Sequence, residues 1–299
     1  MDELSEFNLR IETIRKLKMP LRTISIFFDE KSFSQNLIDY AVGIAVQHKA
    51  HVAGIFVKPF DWPYEPHESY VRGREAIRAL IEHYETQEGL AADVASARFQ
   101  AAAERHGVGF EFRTLRGVDA GDEAALHSLH ADLVIVGHAW PGKLPGSWSA
   151  VSMLLGSGVP FLIVPEGWSA KTTPTNVTLA WNASRVARRA IADAMPLLSA
   201  AQSVRVVVVN PEANPLYGAA PGADIALLLA RQDINVTVQQ LQTAPGKSVA
   251  DAISADADEN GSDLIVIGAY GHSRSRELFL GGVTRSLLKS ATVPLLIAH

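Results

Sequence analysis

Two seven-residue stretches of this 299-residue chain are almost the same sequence: Ala131-Asp-Leu-Val-Ile-Val-Gly137 and Ser262-Asp-Leu-Ile-Val-Ile-Gly268. A second pair lies further on in each copy, Val159-Pro-Phe-Leu-Ile-Val164 and Val293-Pro-Leu-Leu-Ile-Ala298. Asp29 and Asn182 follow equivalent apolar runs, and Pro59 and Pro211 follow the next pair. An internal repeat of this length requires the chain to build one supersecondary unit twice. The runs are continuously apolar and rich in β-branched residues, which suits strands buried on both faces of a parallel sheet.

Between these runs the pattern switches to helical spacing. In the first copy strands are predicted at 23–28, 51–57, 109–114, 133–136 and 159–164. Helices are predicted at 34–47, at 122–129, and as one or two within 72–106. After a Pro/Ser/Thr-rich linker at 165–175 the order returns. Strands are predicted at 177–181, 203–209, 235–241, 264–267 and 293–297, and helices at 185–198, 223–231 and 249–258. One more helix leads from the glycines at 281–282 to Lys289. Alternating strands and helices imply an α/β fold, here two tandem doubly wound, Rossmann-like parallel-sheet units over 19–166 and 175–299. In such sheets a ligand lies beyond the carboxyl ends of the strands, where Asn182 and Gly268 would sit.

Residues 1–18 stand apart, with Leu9, Ile11, Ile14 and Leu17 scattered among charges. They read either as an extension placed before a start at Met19 or as an amphipathic arm. Hydrophobic residues make up 47% and charged residues 20%, as in a globular chain with real cores. A net charge of −5 argues against a general nucleic-acid binder. No apolar run reaches the length of a membrane span and no signal peptide is expected, so the expectation is a cytoplasmic protein without membrane or nucleic-acid partners. Zero cysteines exclude disulfides and thiolate chemistry.

The passage after the second repeat carries the chemistry. Gly268, Gly271 and Gly281 follow the spacing Gly-x2-Gly-x9-Gly, then Gly282, Val283 and Thr284 open a helical run. A strand, a glycine-bearing loop and a helix start form an anion cradle, because the first-turn N–H groups have no intrahelical acceptor. This pattern resembles the ATP-binding signature of the universal stress proteins, and Ala180-Trp-Asn182-Ala-Ser184 is similar to a recurring opening of the same family. The resemblance covers 20–299 as a tandem of two such units. It implies adenine-nucleotide (ATP) binding, with Mg as a possible companion, in stress response or signalling. Asn182 would meet adenine or ribose, Val209 the base, and Gly268, Gly271, Gly281, Gly282, Val283 and Thr284 the phosphates. Arg274, Arg276 and Arg285 are close in sequence, though solvated surface charge is the commoner role of such arginines. One departure is plain: Gly282 stands where the family pattern has Ser or Thr. The resemblance also implies that 159–164 and 293–298 pair within one chain; a further homodimer is compatible with it.

The first copy lacks the signature. His138, Ala139 and Trp140 follow Gly137, and Gly146-Ser-Trp148-Ser replaces the Gly-Gly-Val-Thr run, so a degenerate site, filled or covered by Trp140 and Trp148, is expected. Gly137-His-Ala-Trp-Pro-Gly142-Lys143 begins like a P-loop. Leu144 then stands where a magnesium-binding hydroxyl belongs, and Pro145 follows. His127, His130 and His138 could be set to bind a metal, but scattered surface histidines are the commoner outcome. No nucleophile–base pair or paired carboxylates occur at diagnostic spacing, so a dedicated catalyst is not expected. A slow nucleotide hydrolase or transferase on the same layer, and a glycine-rich scaffold that binds nothing, remain the alternatives.

Overall fold

The computed structural model describes residues 20–29, 32–59, 74–117, 120–137, 150–168, 173–213, 217–269 and 282–299. The first copy contributes β1 (Thr23–Phe28), α1 (Gln35–His48), β2 (His51–Pro59), α2 (Arg74–Arg105), β3 (Phe110–Gly117), α3 (Ala120–Ser128), β4 (Leu133–Gly137), α4 (Ala150–Ser157) and β5 (Phe161–Val164). The second contributes β6 (Asn176–Ala180), α5 (Arg185–Leu198), β7 (Ser203–Val209), α6 (Ala223–Ala230), β8 (Val236–Leu241), α7 (Val249–Glu259), β9 (Leu264–Gly268), α8 (Gly282–Ser290) and β10 (Leu295–Ala298). The helical stretch expected within 72–106 is one continuous helix.

All ten strands form one sheet in the order β3-β2-β1-β4-β5-β10-β9-β6-β7-β8. Each copy is internally parallel, and the two share one strand order counted from their own first strand. They meet at β5 and β10, which pair antiparallel with Leu162 opposite Leu296. The expected pairing of last strands within the chain is therefore present. Both strands begin after a proline, Pro160 and Pro294, later than the apolar pattern suggested. Proline has no N–H for the ladder, but its carbonyl still accepts, from Val134 N and Ile265 N respectively.

Strand side chains alternate between two helix layers. Ile24, Ile26 and Phe28 join one core with residues of α1, α2, α5 and α6. Phe27 joins the other with residues of α3, α4, α7 and α8. Both cores run across the β5–β10 seam, so the two copies share their interiors. The helices that follow β1 and β6 start alike. Ser34 accepts from Leu37 N and Ser184 from Ala187 N, which satisfies one orphan donor at each N-terminus. Among the described residues no helix is long and apolar enough to cross a membrane.

Candidate functional site

In the second copy β6 is flanked by β7 on one side and β9 on the other. Helix α5 leaves the end of β6 into one layer, whereas α7 enters β9 from the other layer. Strand order therefore reverses between β6 and β9, the switch point beyond whose carboxyl ends such sheets hold a ligand. Asn182 and Gly268, on which the sequence reading converged, stand at its two sides.

The Asn182 side is a tight turn. Trp181 N donates to Val207 O at 2.9 Å, which extends β6 along β7 by one residue. Ala183 then takes a positive φ of 54°, uncommon for a residue with a side chain. This turn brings Ser184 N to Asn182 Oδ1 at 3.3 Å and frees the Ser184 hydroxyl to cap α5. Asn182 is exposed. Tyr217 Oη donates to Trp181 O at 3.3 Å and closes the turn from behind, a contact with no counterpart in the sequence reading. Val209 is the half-buried last residue of β7, paired with Leu241 and packed on the α7–α8 core. The turn side of β6 and the end of β7 thus offer an amide and an apolar surface.

Gly268 is a glycine for a reason the motif did not disclose. A Cβ built there would lie 2.5 Å from Val186 C, 2.6 Å from Ala187 N and 2.7 Å from Val186 O. The backbone of the first turn of α5 occupies the space a side chain would need. Thr284, in the first turn of α8, is 3% exposed, and its hydroxyl donates to Gly268 O at 3.4 Å. Gly268 thus joins the N-terminal turns of both helices. Gly282, at the start of α8, is exposed, and a Cβ there would meet no described atom within 4 Å. Val283 is half-buried and Arg285 exposed. Gly271, Gly281, Arg274 and Arg276 lie outside the described residues.

These parts fit a phosphate through backbone rather than side chains. The first-turn N–H groups of α8 have no intrahelical acceptor, and the helix dipole is positive there. No acidic residue stands in the first turn of α5 or α8. In the first copy the equivalent switch point lies between β1 and β4. There Asp29 Oδ1 accepts from Ser32 N at 2.7 Å and Ser32 Oγ at 2.8 Å, so this carboxylate orders its own turn. Trp140, Trp148 and His138 lie outside the described residues. His127 does sit close to a partner, Arg113, but among the described residues no group of three or more His, Cys, Asp or Glu could hold a metal.

The fold is that of an α/β protein with one large, mostly parallel sheet between two helix layers. Residues 175–299, the second copy, match the model of the Universal stress protein family. A solved universal stress protein from Archaeoglobus fulgidus is 17% identical with a TM-score of 0.62, over 92% of this chain and 95% of that one. A functionally unknown protein from Pseudomonas aeruginosa is 13% identical with a TM-score of 0.57, over 93% and 92%. Both show that more than nine-tenths of the chain shares their fold. A search of curated proteins finds no match.

Proposed function

We propose that the chain is a tandem universal stress protein, with domains over 19–166 and 175–299, that binds adenine nucleotide in its second domain and acts in stress response or signalling. What supports this reading is the switch point, with Asn182 after the end of β6 and the start of α8 beyond β9, inside the segment that matches the family. ATP would lie with its base between Asn182 and Val209. Its phosphates would lie over Gly268, Gly271, Gly281, Gly282 and Val283, with magnesium as a companion ion. The first domain keeps the sheet and serves a structural or regulatory role. Cytoplasmic location and a homodimer of the two-domain chain belong to the same reading.

A specific observation favours a second reading, a scaffold that binds no nucleotide. Gly268 has a sufficient packing reason to be glycine, and the Thr284 hydroxyl is turned inward. The experiment that separates the two is nucleotide content of freshly purified protein, released by denaturation and resolved by ion exchange. About one adenine nucleotide per chain supports binding by the second domain, and two would refute a degenerate first domain. None, together with no uptake of added Mg-ATP, would leave the scaffold reading in place.

A further inference from the structure

We infer that Thr284 is a positioning residue, which ties the first turn of α8 to the end of β9, and that its hydroxyl is not a phosphate ligand. For its ligand-binding arm this inference rests on the nucleotide reading above.

Three elements meet at one peptide. Gly268 closes β9 and sits opposite Ala298 of β10, and the next residue, Ala269, donates its N–H to Ala298 O at 2.8 Å. The Cα of Gly268 lies against the backbone of Val186 and Ala187 in α5. Its carbonyl receives the Thr284 hydroxyl from α8. Thr284 is 3% exposed and shares its helix face with Leu287 and Leu288, both of which lie in the core. A hydroxyl carries a single proton, and here it is given to Gly268 O, while the Thr284 side chain is buried. Removing the donor from this half-buried carbonyl is unfavourable, which favours the inward orientation. Gly268 fixes the start of α5 by close packing and the start of α8 through Thr284. The distance between the two helix starts depends on this tie.

The test compares the full-length chain with Thr284→Val, which keeps shape and loses the hydroxyl, and Thr284→Ser, which keeps the hydroxyl. Backbone amide resonances of Gly268 and Ala269 are recorded without ligand, and binding of adenosine, AMP and Mg-ATP is measured by calorimetry. The expected result is that Thr284→Val displaces both resonances and weakens all three ligands by the same factor, about tenfold. Thr284→Ser restores both. The inference is overturned if Thr284→Val leaves the resonances in place and weakens Mg-ATP while adenosine binds as before, the signature of a direct phosphate contact. Should Thr284→Val fail to fold, Thr284→Ser decides. Undisplaced resonances with unchanged affinities support the tie, whereas displaced resonances with full Mg-ATP affinity sink it. A wild-type chain that binds none of the three ligands refutes the nucleotide reading, and the resonances still report on the tie.

Discussion

Asp263 holds Thr175 by three hydrogen bonds: both carboxylate oxygens accept from Thr175 N at 2.9 Å, and Oδ2 accepts from Thr175 Oγ1 at 2.6 Å. Oδ1 also takes Asn176 N at 2.9 Å. Its repeat partner Asp132 does the same for β1, with Oδ2 accepting from Arg22 N at 2.6 Å and Thr23 N at 2.9 Å. The aspartate of the repeated heptapeptide therefore anchors the start of the neighbouring strand in each copy. Asp263 is 3% exposed, so Asp263→Ala strands several buried donors and is expected to destabilise the chain by about 3 kcal/mol. Asp132 is exposed, and Asp132→Ala is expected to do less. Urea midpoints of the two variants check the order, and equal losses would show that burial does not govern this anchor.

The two repeat glycines differ in the same instructive way. A Cβ at Gly268 collides with helix backbone at 2.5–2.7 Å, whereas at Gly137 the nearest atom is Ser32 O at 3.1 Å. Both obstructions are backbone, but at Gly137 the neighbour has to give by only a few tenths of an ångström, so Gly268→Ala is expected to cost about 2–3 kcal/mol and Gly137→Ala about 1 kcal/mol or less. Chemical denaturation of the two variants measures the gap. A Gly268→Ala chain as stable as wild type would mean that the α5 turn is free to move.

Much of this architecture is written in the repeat. It disclosed two copies and the strand and helix sequence within each, because buried parallel strands leave long apolar runs bounded by glycine or proline; the pairing of the last strands came from the family resemblance. The strand order was not readable, since nothing local to β1 states that β2 and β4 lie on either side of it. Asn182 follows the end of β6 and Gly268 closes β9, the strand ends at which the sequence reading put them. What failed to show was why Gly268 is glycine: a close approach of helix backbone and a close approach of ligand leave the same letter. The inward turn of Thr284 did have a signal. Thr284, Leu287 and Leu288 recur at helical spacing on one face, and such a face is buried.

Acid is expected to loosen α3. Arg113 Nη1 lies 2.8 Å from His127 Nδ1, and an arginine can only donate, so Nδ1 must accept and the imidazole must be neutral. Burial and then the Arg113 charge hold the His127 pKa below its ordinary 6.5, with His130 acting in the same direction and Glu123 and Glu111 opposing. The unfolded chain thus takes up this proton before the folded chain does as pH falls. The stability from neutral His127 is complete above about pH 6.5 and is lost as pH drops through the lowered folded value. Amide protection factors over α3, which divide out the intrinsic pH dependence of exchange, should fall between pH 7.5 and pH 5, and His127→Gln should flatten that dependence. Protection that responds to pH equally in both proteins would assign the effect elsewhere.

Gly282 offers the sharpest lever on the nucleotide reading. It is exposed, and among the described residues no atom lies within 4 Å of the position a Cβ would take, so Gly282→Ser displaces none of them and stability should stay within about 0.5 kcal/mol of wild type. The new hydroxyl would stand at the start of α8, beside the unsatisfied N–H groups of its first turn. If phosphates lie there, it adds one hydrogen bond to a charged group, worth about 1.5 kcal/mol or roughly tenfold in affinity. The gain should appear for Mg-ATP and be absent for adenosine, which has no phosphate to receive it. Calorimetry with both ligands on both proteins gives the answer. An equal gain for adenosine would move the effect to the loop's conformation, and no gain for Mg-ATP would place the phosphates away from the start of α8.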